Sequence, residues 1–240
     1  MVTGGAVRIG RAIALACARA GADVAVVYRT SEAQADDTLK DLKEIAPGAR
    51  FAALQADLTQ ADDVARLETE VAAEFGRIDA LVNCAAVFRR TPFATMTEND
   101  FDAHIAANLK APYLLCKRFG DRFWLQGSGA IVNIADIYGL RPLRNYIPYC
   151  VSKAGVVMLT EALALALAPR VRVNCICPGS ILAPSETQGE ADDAETLVKR
   201  VPLDRMGEPE EIAATALFLL AGPSFITGAV LPVDGGQRLR

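Results

Sequence analysis

Short β-branched runs alternate with longer, Ala-rich amphipathic segments along all 240 residues, and this alternation constrains the fold more than any other feature. The runs are apolar at successive positions, so neither face of such a strand is suited to water. Strands buried on both faces belong to parallel sheets covered by helices. Strands are predicted at Asp23–Tyr28, Arg50–Gln55, Ile78–Asn83, Ala130–Ala135, Val171–Ile176 and Ala229–Val233. Helices are predicted from near Arg8, over Ser31–Ile45 with Ser31 as N-cap, and over Thr59–Phe75 between Thr59 and Gly76. Further helices are predicted over Thr97–Leu125, Pro148–Leu167 and Pro209–Leu220, the first as one long helix or two joined ones kinked at Pro112. Right-handed crossovers then give an α/β, doubly wound single domain over residues 1–240, with its ligand beyond the carboxyl ends of the strands. Only Met1 and Val2 precede the first turn, so the first strand is expected to be a stub.

Composition removes several classes of function. A chain 52% hydrophobic and 22% charged is not intrinsically disordered. A net charge of −4 argues against nucleic acid or an anionic membrane as partner. No apolar run is read as reaching the roughly 18 residues of a membrane span. No leader pattern opens the chain, and a small-molecule substrate in the cytoplasm is expected. The six cysteines lie mostly within apolar runs without a Cys-x-x-Cys pair, and are read as reduced and buried. The single histidine, His104, rules out His-rich metal sites and is expected at solvent or an interface. No metal site is expected.

The stretch from Thr3 to Gly10 joins the stub strand to a helix. Glycines there permit a tight turn and let N–H groups at a helix N-terminus approach a pyrophosphate. The second strand ends in Tyr28-Arg29-Thr30-Ser31, with no acid before Glu32. A carboxylate at this place would bind a ribose 2′-hydroxyl. Arg29 can instead neutralise a 2′-phosphate, with Thr30 and Ser31 donating hydrogen bonds, so NADP(H) is expected over NAD. Tyr149 and Lys153 are four apart and share a helix face. A tyrosine with a pKa near ~10 is a poor acid at neutral pH, and a nearby cation would lower it.

These features do not stand alone. The Gly-rich turn, Asn83-Cys-Ala-Ala86, Asn108, Tyr149-x-x-x-Lys153, Pro178-Gly179, Ile226-Thr-Gly228 and Asp234-Gly-Gly236 follow in the order and spacing of the short-chain dehydrogenase/reductase superfamily, which the chain resembles over its whole length. The resemblance implies a Rossmann-type fold and a set of roles. Tyr149 would be the proton donor. Lys153 would hold the nicotinamide ribose and depress the tyrosine pKa, and Asn108 would bind a water linking Lys153 to solvent. Gly4, Arg8, Ile9 and Gly10 would meet the phosphates, Asp57 and Leu58 the adenine, and Asn83 and Ala85 the adenosine ribose side. Pro178, Gly179 and Ser180 would lie along the nicotinamide.

Two departures narrow the expectation. Arg8 stands for the usual second glycine of the turn. Asp136, thirteen residues before Tyr149, stands for the usual serine. Both resemble the pteridine reductases, in which Phe88 would stack a flat ring on the nicotinamide and Arg8 would touch ring and phosphates. Asp136 can also be read as a loop cap, Phe88 as loop packing and Arg8 as a surface ion pair. Reduction of a dihydropteridine-type heterocycle is therefore the leading expectation. A carbonyl or 3-oxoacyl reductase is the alternative, and a non-catalytic NADP-binding sensor a third. Residues 180–201 are expected to form a substrate lid. The resemblance also implies a homotetramer, built partly on the Thr97 and Pro148 helices.

Overall fold

The computed structural model describes residues 1–181 and 194–240. Seven strands form one parallel sheet in the order β3-β2-β1-β4-β5-β6-β7. They are β1 Val2–Thr3, β2 Val24–Tyr28, β3 Phe51–Gln55, β4 Ala80–Asn83, β5 Gly129–Ile134, β6 Val171–Pro178 and β7 Val230–Val233. The helices are α1 Arg8–Arg19, α2 Glu32–Ile45, α3 Ala61–Phe75, α4 Glu98–Ile105, α5 Ala111–Gln126, α6 Ile147–Leu167, α7 Ala194–Val198 and α8 Pro209–Ala221. This is the doubly wound parallel architecture expected from the alternation.

The stub strand is real and central. β1 has two residues yet pairs with both β2 and β4, because Val2 and Thr3 are buried and their backbone groups are used on both sides. The chain order reverses across it. The crevice at such a switch point opens beyond the carboxyl ends of the strands.

One face of the sheet packs on α1, α2 and α8 through Ile13, Leu42, Ile212 and Leu219. The other packs on α3, α5 and α6 through Leu67, Leu115, Phe119 and Phe123. Each of these fully buried side chains contributes on the order of 1.5–3 kcal/mol relative to exposure.

Local differences from expectation have local causes. The long 97–125 segment is broken by a π turn at Ala106–Lys110, and Pro112 follows inside the first turn of α5, where its missing N–H costs nothing. Thr97 starts α4 through a reciprocal capping box with Asp100. Ser31 occupies the N-cap of α2 without making a cap hydrogen bond. Thr59 does not cap α3, since its hydroxyl and N–H both donate to Asp57 Oδ1. His104 is fully buried, contrary to the solvent or interface position expected, because it faces inward one turn before Asn108.

The expectation that no apolar stretch reaches membrane-span length is corrected. Helix α6 has 21 residues and contains an 18-residue stretch of mean hydropathy 1.7, enough to span by length and composition alone. It instead lies along the sheet, burying Val156, Thr160 and Ala164 and bringing Tyr149 and Lys153 to the crevice. The lid expected over 180–201 falls largely on residues 182–193, outside the described residues.

Candidate active site

The crevice is a cavity of about 910 Å³ running from the tip of β2 to the start of α6. Its near end is the turn between β1 and α1. A Cβ at Gly10 would collide with the Gly4 carbonyl, so only glycine lets the turn close this tightly. Gly4 takes φ +64°, and Arg8 is held at φ 52° where glycine is at ease. A non-glycine residue in the left-handed region costs about 1 kcal/mol or more. The first turn of α1 has no side-chain cap and no acidic residue. Its N–H groups and the helix dipole therefore suit an anion, and the donor chemistry fits a dinucleotide pyrophosphate.

Tyr28, Arg29, Thr30, Ser31, Asp57 and Leu58 line the cavity beyond the turn. The Asp57 carboxyl is held below its ordinary range by hydrogen bonds from Thr59, with the Arg29 cation adding to the effect. A cation at the tip of β2 and an ionised carboxylate at the tip of β3 are thus close enough to sense one another.

At the far end three groups converge from two elements, the loop after β5 and helix α6. Asp136 follows β5, while Tyr149 and Lys153 share one face of α6. The Tyr149 hydroxyl donates to Asp136 Oδ2 at 2.6 Å, and the Tyr138 N–H donates to Asp136 Oδ1 at 2.8 Å. The Lys153 ammonium donates to the Ile134 carbonyl at 2.8 Å and lies 5.8 Å from the centre of the Tyr149 ring. Burial pushes the Asp136 carboxyl up to about 6, against the pull of its hydrogen bonds from Tyr149 and Tyr138 and of the Lys153 charge. The Tyr149 phenol is raised well above its ordinary value by burial first and the Asp136 charge second. Burial lowers the Lys153 ammonium, opposed by Asp136.

This corrects one expectation. The Tyr149 phenol is not depressed here: burial first and the Asp136 charge second raise it, and the Lys153 ammonium is turned to the Ile134 carbonyl. Asp136 is not merely a cap either. One oxygen starts the short turn Ile137–Gly139 and the other holds the phenol.

Phe88 lines the cavity beside these groups. It stacks on Tyr146 at 4.6 Å and 12°, and meets the Tyr149 ring edge-on at 4.7 Å and 78°. Tyr149 is flanked on a further side by the His104 ring at 6.4 Å. Pro178, Gly179 and Ser180 line the wall at the end of β6.

Every residue expected at the site lines this cavity except Asn108. The Asn108 amide is spent elsewhere. Its Oδ1 accepts from the Val87 N–H, and its Nδ2 donates to the Val87 carbonyl and the Ser152 hydroxyl. It braces the loop carrying Phe88. Asn83 lines the wall but turns its amide inward, donating to Asn133 Oδ1 at 2.8 Å, and Asn133 donates in turn to Thr160. Its side chain knits β4, β5 and α6 rather than facing a ribose.

Sequence reasoning missed Tyr146, Ser152 and Thr3. The Thr3 hydroxyl accepts from the N–H groups of Cys84 and Ala85 and so shapes the cavity floor. An aromatic three residues before Tyr149 was a visible signal for Tyr146. Nothing in the sequence marks Thr3.

Comparison with known proteins agrees with this geometry. A family model described as Enoyl-(Acyl carrier protein) reductase matches residues 5–238. A 3-oxoacyl-(acyl-carrier-protein) reductase of Staphylococcus epidermidis is 34% identical over 241 residues, covering 100% of this chain and 98% of the relative. A protein of the same name from Synechocystis is 38% identical over 240 residues, covering 99% and 95%. D-threitol dehydrogenase of Mycolicibacterium smegmatis is 38% identical over 247 residues, covering 100% and 92%. Among solved structures, levodione reductase superposes with a TM-score of 0.92 at 32% identity, covering 99% of this chain and 96% of the other. NAD+-bound xylitol dehydrogenase gives 0.90 at 30%, covering 98% and 96%. The expected kinship with pteridine reductases is not shown by these relatives, whose names are those of 3-oxoacyl reductases, polyol dehydrogenases and a dione reductase.

Proposed function

From the premise that this chain belongs to the short-chain dehydrogenase/reductase superfamily, we propose that it reduces a carbonyl group at the expense of NADPH, in the manner of the 3-oxoacyl reductases it is similar to. The observation that carries the reading is the convergence of Tyr149, Asp136 and Lys153 on one wall of a cleft whose other end is built for a dinucleotide.

A reduced nicotinamide bound in the cleft would supply the hydride. Arg8 and the first turn of α1 would hold its phosphates, and Arg29, Thr30 and Ser31 a 2′-phosphate. With the adenine end met by Asp57, the nicotinamide end would lie along Pro178–Ser180. The protein's own part is the proton. If Asp136 is ionised, loss of the Tyr149 proton leaves two anions in hydrogen-bond contact, which is prohibitive in a buried site. If Asp136 is protonated, Tyr149 passes its proton to the nascent alkoxide and receives one from Asp136. The charge then rests on the carboxylate, the weaker base of the two. Lys153 steadies that charge.

Reduction of a C=N bond in a flat, dihydropteridine-type ring is a second reading. It is favoured by Asp136 in place of serine and by Phe88, an aromatic ring lining the cavity beside Asp136 and Tyr149. The exposed apolar row Ile147, Val151, Met158 and Leu165 on α6 suits the subunit contact of a homotetramer, to be tested by light scattering.

The test is a turnover panel with NADPH and with NADH, using acetoacetyl-CoA, a ketose and dihydrobiopterin. Turnover of the 3-oxo thioester with a preference for NADPH is expected. Turnover of dihydrobiopterin alone would replace the first reading with the second, and no oxidation of either cofactor with any of them would sink both.

A further inference from the structure

Gln237 follows the Gly235-Gly236 turn after β7 and is only 5% exposed. It belongs to no motif singled out in the sequence, and it does not line the cavity. Its amide nevertheless touches both loops that do. Oε1 accepts from the Ser180 N–H at 2.9 Å, and Nε2 reaches the Tyr138 hydroxyl at 3.5 Å. Ser180 ends the Pro178–Ser180 wall. Tyr138 donates its own N–H to Asp136. One side chain therefore spans from the nicotinamide wall to the acid.

The bridge is anchored at its own backbone. The Arg141 guanidinium donates to the carbonyls of Gln237 and Arg238 at 3.2 and 2.8 Å. The Asp234 carboxylate accepts from the N–H groups of Gly236 and Arg238 at 3.0 and 2.9 Å. The Gly179 N–H donates to the Val233 carbonyl at 3.0 Å. A Cβ on Gly179 would stand 2.8 Å from Gln237 Oε1, so the amide can approach this loop only because the residue there is glycine. A buried amide with partners at both ends fixes its neighbours at a set separation.

We propose that Gln237 is a positioning residue. It holds the Pro178–Ser180 wall at a set distance from Asp136 and Tyr149, so that the nicotinamide end of the cofactor is bound facing the acid. This rests on the reading that the cleft takes a nicotinamide dinucleotide and is independent of the substrate.

The experiment measures binding to the substrate-free protein. NADPH and 2′-phospho-ADP-ribose, which lacks the nicotinamide, are titrated against wild type, Gln237→Met, Gln237→Glu, Tyr138→Phe and the Gln237→Met/Tyr138→Phe double variant. Gln237→Met is expected to weaken NADPH about tenfold while changing the fragment by less than about twofold. Gln237→Glu keeps an acceptor for Ser180 and can accept from the Tyr138 hydroxyl, so it should recover most of the loss. Tyr138→Phe should cost NADPH about two- to threefold and add nothing on top of Gln237→Met. That variant tests the bridge by itself should Gln237→Met fail to fold. Equal weakening of both ligands would reduce Gln237 to a structural part and overturn the proposal, as would no change in either. Wild type that binds neither ligand would overturn the functional reading as well, which separates the two failures.

Discussion

The Tyr149 hydroxyl donates to Asp136 Oδ2 at 2.6 Å, joining the start of α6 to the loop that follows β5. In this hydrogen bond the phenol is the donor and the carboxylate the acceptor. That hydrogen bond favours the carboxylate and disfavours the phenolate, while burial raises both groups above their ordinary values. The first three predictions below follow from that arrangement.

Tyr149→Phe removes the hydroxyl proposed as proton donor and leaves the ring contacts with Phe88 and His104 intact. Turnover should fall by about 10²- to 10⁴-fold, the ordinary worth of a general acid. Binding of NADPH, followed by titration, should stay near the wild-type value. A variant that retained more than a tenth of wild-type turnover would move the acid to another residue.

The pH dependence has a definite sign. Burial puts the Asp136 carboxyl at about 6, and the proposed relay requires its protonated form. The reductive kcat should hold below about pH 6 and decline as pH rises through that value. Asp136→Asn should abolish this inflection while leaving some activity from Tyr149 itself. A wild-type profile flat from pH 5 to 8 would exclude Asp136 from the proton path.

The same shift reads out in stability. A carboxyl whose folded pKa is raised from 3.8 to about 6 binds its proton more tightly in the folded state. Ionisation therefore costs stability, fully above about pH 6 and not at all below about pH 4. The gap of about two units corresponds to roughly 3 kcal/mol. An asparagine there cannot ionise, so the effect of Asp136→Asn on urea unfolding should be more favourable at pH 7.5 than at pH 4 by about 2–3 kcal/mol. Equal effects at the two pH values would show that the carboxylate is not strained by burial.

Arg29 offers a separable test at the other end of the cleft. Arg29→Glu places an anion where a 2′-phosphate would lie. The ratio of kcat/KM for NADPH to that for NADH should drop by about 10²-fold or more, mostly through KM. An unchanged ratio would put the 2′-phosphate, and the coenzyme preference, somewhere other than the tip of β2.

Much of this was legible in the linear chain, and particular residues show why. The parallel sheet follows from runs such as Val24–Tyr28, apolar at consecutive positions, which no half-wet strand tolerates. Tyr149 and Lys153 were legible because four residues is about one helical turn. Asn83 lines the cleft as expected and Asn108 does not, and the amides of both are engaged by protein groups. A short polar side chain takes whichever groups burial puts beside it, and Val87, Asn133 and Ser152 come from other elements. His104 was misplaced for a related reason: a lone histidine on an amphipathic helix does not declare which face is covered.

Local chemistry in the chain determined the strands and helices, the glycine turn, the cation at the tip of β2 and the presence of a phenol, an amine and a carboxylate at family spacing. Spacing is a local property, so those features survive without coordinates. Folding alone decided that burial and the carboxylate, not the lysine, set the phenol, that Tyr146 and Thr3 shape the cleft, and that Gln237 bridges two of its loops. Each of those outcomes depends on desolvation or on contacts between segments up to about a hundred residues apart, and both arise only when the sheet closes and its helices pack.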